Sequence, residues 1–325
     1  MKNLTYLKYL IIALLISLSF CIDGDIHDFF LPNGLKVILM ERHGAPKIAV
    51  NIAYNVGRHD EPINQQGINR IVHYSFSNMG TIKYPDGKVA KIRDEYDATY
   101  GDHSDVDISY LWTEIHKDGL EFVLDFESDR MINIIFDDKN IEEVKKRYIT
   151  KWESIDKMQI QVTNSLSKLW EGHPYESGAN PNPDSINKLN LESIRLWYET
   201  YYVPNNAVLT VVGNIDLQST TKLIYQYLAH LESVNTIPAD PDLSLELINS
   251  NSNIITNISV PSFSMYVNIA ATTISFPSSR DSDFAILDNI AGIIRLSYSQ
   301  ETALADKFTD NGKIALGIEV DIDKR

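Results

Sequence analysis

The residues with the clearest potential for chemistry lie in one short stretch, GINRIVHYSFSNMGT, from Gly67 to Thr81. Its apolar residues recur with the spacing of an amphipathic helix: Ile68, Ile71, Val72 and Phe76. Arg70, His73 and Ser77 fall on another stripe of that helix. Tyr74 lies beside this stripe. Side chains three and four residues apart on one helix can hold a zinc ion, so the stretch is either a metal site or the remnant of one.

The overall composition is that of a folded, acidic, globular protein. The chain has 325 residues, 44% hydrophobic and 22% charged, which is enough for one large domain or two medium ones. Its formal net charge is -15, whereas nucleic-acid binding needs clustered Lys and Arg. The densest basic run, Lys145 to Arg147, is preceded by Glu142 and Glu143. We therefore expect no nucleic-acid partner.

The first 21 residues are typical of an export signal. An apolar run of twelve residues extends from Tyr9 to Phe20. Such a run is too short to cross a hydrocarbon layer of about 30 Å, so it predicts a secretion signal. Cys21, the only cysteine, resembles the lipid-attachment residue of a bacterial lipoprotein, although Phe20 replaces the small residue usual before it. Lipid attachment, ordinary cleavage and an uncleaved anchor are open. Each predicts an exported protein, periplasmic or lipid-tethered, that meets the membrane only through this segment.

Strands and helices follow one another without a strict βα alternation, which favours an α+β fold. The predicted strands are Leu35–Met40, Lys47–Tyr54, Asp107–Ile115, the central Ala207–Val212, and Asn257–Ile274. The predicted helices are Gly67–Met79, Gly119–Asn133, Asn140–Trp170, Leu191–Tyr202 after an Asn190 cap, Asp216–Leu231 and Asp281–Leu296. The Asn- and Pro-rich stretch His173–Ser185 predicts a loop.

Composition divides the chain behind the signal into two parts. Residues 27–233 form the first α+β domain, and residues 234–253, rich in Pro, Asp, Ser and Asn, read as a linker. Strand and helix patterns restart in residues 254–325, a segment less than half as long as the first domain. We expect this last part to be an incomplete second domain.

Four short motifs occur in a fixed order along the chain. They are LPNGLKVIL (Leu31–Leu39), NVGRHDEP (Asn55–Pro62), HPY (His173–Tyr175) before LNLE, and WYETYYVPNNAVLTVVGNID (Trp197–Asp216). Together they resemble the insulinase/pitrilysin family of zinc metallopeptidases, which includes the mitochondrial processing peptidases. The resemblance implies two related α+β domains, the second incomplete here, that close around a peptide chamber.

The resemblance also implies where the chemistry of active members would be. They carry His-x-x-Glu-His on the first helix, in which two imidazoles bind zinc and the glutamate activates a zinc-bound water. Arg70 and Tyr74 occupy the two ligand positions here, and His73 occupies the position of the base. A guanidinium has no lone pair to donate, and a phenol, with an unperturbed pKa of about 10, binds only as a phenolate. We therefore expect no tight zinc site, no cofactor and no catalytic residue.

A glutamate further along the chain completes the ligand set of active members. KRYITKWES (Lys146–Ser154) resembles the segment that carries it, and Glu153 is the matching residue. The family's supporting glutamate, seven residues earlier, is Lys146 here. One ligand of three remains, which leads to the hypothesis that Glu153 forms a salt bridge with Arg70 in place of the metal.

His73 and Glu153 are the remaining metal candidates, and they would need help from His103 or His59. Otherwise His73 is a hydrogen-bonded or solvated residue on the flank of the helix, and His103 is a surface residue in an acidic loop. Active members also place an Arg and a Tyr in the second domain, and the corresponding segment, Leu304–Val320, lacks that pair. The three tyrosines at 198, 201 and 202 have helical spacing and are expected to pack.

These observations favour a catalytically silent homologue that acts as a structural or substrate-binding partner of an active zinc peptidase subunit. Two alternatives stay open. One is an active zinc-dependent endopeptidase with displaced ligands, which would need zinc. The other is a stand-alone surface protein that binds peptides without a catalytic companion.

Overall fold

The computed structural model describes residues 25–85, 88–155, 181–239, 253–260 and 265–272, with a few isolated positions between 157 and 174. The predicted signal with Cys21, the loop HPYESGAN apart from Pro174, most of the linker, the helix 281–296 and the segment 304–320 lie outside these residues. Contacts divide the chain into a unit of residues 1–248 with 254–271 and a unit of residues 249–253 with 272–325. Of the second unit, only Asn253 and Thr272 are described. The predicted domain boundaries stay predictions.

A mixed six-stranded sheet forms the frame of the first unit. Its strands are β1 (Ile26–Phe30), β2 (Lys36–Glu41), β3 (Ile48–Tyr54), β4 (Thr99–Ser104), β5 (Ser109–Ile115) and β6 (Ala207–Gly213). The spatial order is β1-β2-β6-β3-β5-β4, and only β2 and β6 are parallel. The predicted Ala207–Val212 strand is therefore interior, as expected from its apolar run. The α+β fold class is confirmed.

Seven helices accompany the sheet in the described part of the chain. They are α1 (Ile68–Asn78), α2 (Lys88–Glu95), α3 (Leu120–Ile132), α4 (Asp138–Glu153), α5 (Pro183–Lys188), α6 (Leu191–Tyr201) and α7 (Leu217–Leu228). Every second residue of the interior strands is buried, and these side chains join the apolar stripes of the helices in one core. Helix α1 packs against α4, α6 and strand β4. No described helix has the length and apolar content that a membrane crossing requires.

The start of helix α1 is set by Gly67 and Glu61. Gly67 has a φ of 93°, and a Cβ there would lie 2.5 Å from Ile186 Cδ1 and 2.9 Å from Pro181. Gly67 and Asn69 donate backbone hydrogen bonds of 2.8 and 3.0 Å to the two carboxylate oxygens of Glu61. A side chain six residues upstream thus replaces the usual N-cap residue and holds the helix that carries Arg70 and His73.

Several elements differ from expectation. Strand β4 occupies the predicted acidic loop around His103, because an edge strand with both faces partly solvated needs no alternating pattern. Strand β1 and helix α2 were not predicted, and α5 lies within and beyond the predicted loop His173–Ser185, where Asn182 caps it and Pro183 begins it. The predicted strand Asn257–Ile274 consists of two paired strands, β7 (Asn253–Val260) and β8 (Met265–Thr272).

The long helix predicted from Asn140 to Trp170 is shorter. Helix α4 ends at Glu153, with Ser154 as its C-cap residue, and the isolated described positions 157, 160, 163, 164 and 167 are helical again. Trp170 lies outside the described residues. The predicted Asn190 cap is confirmed, because its side chain accepts a hydrogen bond from a backbone N–H group of α6. Asp216, predicted as the first residue of the next helix, is its N-cap residue and accepts a hydrogen bond from a backbone N–H group of α7.

Candidate functional site

The three motif residues Arg70, His73 and Tyr74 lie on helix α1 at different depths. His73 is buried, with 1% of its surface exposed, whereas Arg70 and Tyr74 are half-buried. Their spacing places Arg70 and Tyr74 one turn apart on the same side of the helix. Helix α4 and strand β4 supply the residues that surround them.

His73 is held by a carboxylate from the edge strand. Its Nδ1 lies 2.9 Å from Oδ2 of Asp102 on β4, and its ring meets Phe76 edge-on at 5.8 Å. The pKa of His73 is lowered, first by burial and then by the positive charges of Arg70 and Arg130, although Asp102 opposes the shift. Of the two roles predicted for His73, hydrogen-bonded is confirmed and solvated is wrong.

The other nitrogen of His73 has no partner within the described part of the structure. Nε2 is buried and makes no hydrogen bond there, so the neutral ring presents a bare acceptor. Asp102 was missed by sequence reasoning because β4 itself was not recognised. Its place two residues after Tyr100 on an irregular polar strand carries no pattern that would have identified it.

The predicted salt bridge between Arg70 and Glu153 is wrong. Glu153 is the last residue of α4 and is exposed, and neither residue has an ion pair within 4 Å among the residues that the structure describes. Lys151 of α4 reaches this side of α1, with its Nζ 5.7 Å from the ring centre of Tyr74. Two residues correspond to about 200° around a helix, so Glu153 points away when Lys151 faces α1.

A tyrosine pair joins the two helices at the same place. The rings of Tyr74 and Tyr148 meet edge-on, with centroids 5.7 Å apart. Tyr148 is buried and its hydroxyl donates a hydrogen bond of 2.8 Å to the carbonyl oxygen of Pro181. Arg70 interacts electrostatically with Tyr148 and with Glu61. The segment of α4 that meets the motif therefore presents a phenol and an ammonium group.

A buried ion pair lies behind His73. Glu127 and Arg130 on α3 are both buried, and Arg130 Nε donates a hydrogen bond of 3.1 Å to the Glu127 carboxylate. The Arg130 guanidinium also lies 4.8 Å from the ring centre of Phe126 and 5.7 Å from that of Phe76. The charge of Arg130 is thereby neutralised by its own helix, and Glu127 is not available to a metal.

The other histidine candidates do not gather around His73. His59 is buried, with Nδ1 2.6 Å from the carbonyl oxygen of Val106, and His103 is a half-exposed residue of β4 whose Nε2 lies 3.6 Å from Asp105. No group of three or more His, Cys, Asp or Glu side chains is arranged to hold a metal in the part of the chain that the structure describes.

The residues at the motif do not fit a zinc ion. Zinc needs neutral imidazoles or anionic ligands, whereas the converging groups are the guanidinium of Arg70, the phenol of Tyr74 and the ammonium group of Lys151. Burial lowers the pKa of the one imidazole, His73, and the positive charges of Arg70 and Arg130 add to this shift because they repel further positive charge there. A divalent cation would meet the same repulsion.

The tyrosines of helix α6 and its end are core residues, as predicted. Tyr198, Tyr201 and Tyr202 are buried. The hydroxyl of Tyr198 donates to the carbonyl oxygen of Arg130 at 2.8 Å, and that of Tyr202 donates to the side chain of Asn69 at 2.7 Å. These bonds tie α6 to α3 and α1 and keep the motif helix in place.

Comparison with known proteins connects this geometry to a family. A family model described as Peptidase M16 inactive domain matches residues 188–287, which include α6, β6, α7, β7 and β8. The match does not include helix α1, so it concerns the fold and not the motif.

Named relatives are peptidases. The chain is 23% identical to the zinc protease PqqE of Helicobacter pylori over 63% of its length and 47% of that protein. It is 21% identical to the insulin-degrading enzyme of Bos taurus over 65% of its length and 22% of that protein. The chain thus spans about half of the first relative and less than a quarter of the second.

Solved structures share the fold. A protease from Helicobacter pylori superimposes with a TM-score of 0.63 at 16% identity, over 89% of this chain and 84% of that one. The first half of the periplasmic protease PqqL from Escherichia coli superimposes with a TM-score of 0.56 at 18% identity, over 66% of this chain and 49% of that one. The motif order, the six-stranded α+β unit and these matches agree, and they relate the chain to the insulinase/pitrilysin family of zinc metallopeptidases.

Proposed function

We propose that this chain is a catalytically silent member of its family and serves as a structural or substrate-binding partner of an active zinc peptidase. One observation carries the proposal: Arg70 and Tyr74 lie one turn apart at the two ligand positions of the motif, and the facing helix brings Lys151 to Tyr74. These groups donate no lone pair at neutral pH, and two of them are cations. No zinc-bound water is available there to become a nucleophile.

The residue at the base position supports this interpretation. His73 is buried, neutral by virtue of its lowered pKa, and bound through Nδ1 to Asp102. A general base must reach the proton that it removes, and His73 lies in a packed interior beside Phe76. Its role is therefore to anchor α1 to the edge strand β4.

A partner role needs only what the chain retains. In the described part of the first unit, the buried apolar side chains form one core, and the helix caps and the buried ion pair on α3 are formed. Such a domain offers sheet edges and helix faces to a homologous subunit or to a peptide without performing chemistry. Export to the periplasm, with membrane contact through the signal or a lipid at Cys21, belongs to the same proposal. The apolar run before Cys21 supports it, as does the periplasmic location stated for the structurally similar PqqL.

Metal content and peptide cleavage test the silent character. The purified full chain is expected to carry far less than one zinc per molecule after dialysis, and to leave a mixture of unstructured peptides intact. Stoichiometric zinc that disappears in His73→Ala or Glu153→Ala would overturn the proposal in favour of an active endopeptidase with displaced ligands. So would cleavage by the chain alone that a chelator abolishes.

Co-purification tests the partner role. A tagged full chain is expected to retain a homologue bearing an intact His-x-x-Glu-His motif, encoded in the same genome, at one-to-one stoichiometry. If the chain stays monomeric with every such homologue of its genome, the partner role is wrong and a stand-alone peptide-binding protein is favoured.

A further inference from the structure

Helices α1 and α4 each contribute one cation where they meet, Arg70 from α1 and Lys151 from α4. Arg70 and Tyr74 are one turn apart on α1, and the Lys151 ammonium group of α4 lies 5.7 Å from the centre of the Tyr74 ring. Tyr148, one turn before Lys151, meets Tyr74 edge-on and interacts electrostatically with Arg70. We call Arg70, Tyr74, Tyr148 and Lys151 the cationic cluster. It combines two positive groups with two aromatic walls.

The charge of the cluster is not balanced by a nearby ion pair. The chain carries a net charge of -15, yet within the described residues neither Arg70 nor Lys151 has a carboxylate within 4 Å. The Nε of Arg70 is buried and has no hydrogen-bond partner there. A buried guanidinium N–H without an acceptor costs free energy. None of the carboxylates of this acidic chain accepts that hydrogen bond within the described residues.

The nearest internal candidate already has other partners. Glu61 interacts electrostatically with Arg70, but its two oxygens accept the backbone N–H groups of Gly67 and Asn69. Burial raises the pKa of Glu61 to about 7, so at neutral pH its carboxyl is protonated in a substantial fraction of molecules. Glu61 thus caps the helix and leaves the charge of the cluster largely available.

We propose that the cationic cluster binds a carboxylate group of a peptide, at the place where active members of the family would hold zinc. The planar fork of Arg70 suits a carboxylate in two-point contact, and Lys151 adds a second positive group from the facing helix. Tyr74 and Tyr148 supply apolar walls beside these groups. The inference rests on the proposed function, because a bound zinc ion and a bound carboxylate would need opposite charges at the same place.

Peptide binding to the full chain tests the inference. The probe is a fluorescein-labelled eight-residue peptide with two glutamates and a free C-terminus, measured by anisotropy in low salt. Three relatives of the probe separate the sources of the carboxylate: one with both glutamates replaced by glutamine, one with an amidated C-terminus, and one with both changes. Inorganic phosphate serves as a competitor that reports general anion binding.

Variants connect binding to the cluster. Arg70→Gln and Lys151→Ala are each expected to weaken binding of the acidic probe by about tenfold, the size of one charge-assisted hydrogen bond. Lys146→Ala removes one positive charge from the same helix on a different face and is expected to change binding by less than about twofold. Circular dichroism of each variant shows whether the fold is retained.

Each outcome separates the two proposals. The inference is supported if the wild type binds the doubly changed peptide more weakly than the acidic probe, and if this difference between the two peptides disappears in Lys151→Ala. Equal binding of all four peptides, or an equal effect of Lys146→Ala, overturns it and leaves the silent partner role intact. Competition by phosphate at the same concentration as the peptide would overturn the assignment to a carboxylate. Stoichiometric zinc in the same preparation would instead overturn the proposed function and the inference together.

Discussion

His73 on helix α1 and Asp102 on edge strand β4 are joined by a hydrogen bond of 2.9 Å between Nδ1 and Oδ2. The bond connects the buried centre of the motif helix to the outermost strand of the six-stranded sheet. It also sets the tautomer, because the Asp102 carboxylate accepts a hydrogen bond from Nδ1–H, so the proton of the neutral ring lies on Nδ1 and Nε2 carries none. The position that would be a catalytic base in active members is here a structural anchor.

Removal of Asp102 is expected to destabilise the first unit. Asp102→Ala leaves both nitrogens of buried His73 without a partner, which costs about 1–3 kcal/mol in free energy of unfolding. Asp102→Asn retains an acceptor oxygen and is expected to cost less. Urea denaturation followed by tryptophan fluorescence measures both. Equal stability of Asp102→Ala and wild type would show that the bond contributes nothing.

The stability of the fold is expected to depend on pH through His73. Its folded-state pKa lies below the unfolded value of about 6.5, so the unfolded chain binds the proton more readily. The contribution of neutral His73 is therefore complete above about pH 6.5 and is lost as the pH falls below that value. Urea midpoints at pH 7.5 and 5.5 are compared for wild type and His73→Gln.

The wild type is compared with His73→Gln because protonation of Glu61 changes the stability of the fold in the opposite direction. Its folded-state pKa of about 7 exceeds the pKa of about 4.5 of a glutamate in the unfolded chain, so its protonation stabilises the fold as the pH falls from about 7. This contribution is common to both proteins and cancels in the difference. A pH dependence that is identical in wild type and His73→Gln would contradict the prediction.

Gly67→Ala is expected to destabilise helix α1 more than a matched glycine substitution. Both Gly67 and Gly44 have positive φ, 93° and 89°, so alanine is strained at either position by about 1–2 kcal/mol. At Gly67 the new methyl group would also collide with Ile186 and Pro181, whereas nothing lies within 4 Å at Gly44. The difference between the two unfolding free energies isolates the collision, and a larger loss in Gly44→Ala would refute this account.

Glu127→Ala is expected to be among the most damaging single substitutions. It leaves the Arg130 guanidinium charged and buried, which costs about 3–5 kcal/mol. Asp28→Ala breaks a solvent-exposed pair with Lys36 at 3.5 Å and is expected to cost at most about 1 kcal/mol. Thermal unfolding of the two variants side by side checks the contrast, and comparable losses would mean that burial of the Glu127–Arg130 pair is unimportant.

A zinc site is expected to be recoverable only through position 151. Arg70→His combined with Tyr74→His and Lys151→Glu supplies two imidazoles and a carboxylate on the facing surfaces of α1 and α4. The double variant without Lys151→Glu keeps a cation there, and its exposed Glu153 points away. Zinc per chain after dialysis is expected near one in the triple variant and near zero in the double. Equal loading of both would restore Glu153 as the third ligand.

Local patterns in the sequence were sufficient for the elements around the motif. The apolar stripe of Ile68, Ile71 and Val72 predicted α1 because a helix must bury one face. The unbroken apolar run Ala207–Val212 predicted an interior strand, and Asn190 predicted a helix start because its side chain can accept a hydrogen bond from a backbone N–H group. The residue types at the two ligand positions, Arg70 and Tyr74, were sufficient to predict that zinc is not bound tightly.

The partners of these residues were decided by the tertiary structure. Asp102 meets His73 because β4 forms the sheet edge beside α1, and a polar edge strand has no alternation from which it could be predicted. Lys151 and not Glu153 faces Tyr74 because the rotation of α4 about its axis is set by the burial of Ile141, Val144 and Tyr148. Residue types limit the chemistry that a chain can perform, but which groups converge depends on helix rotation and strand order, and both follow from packing across the whole core.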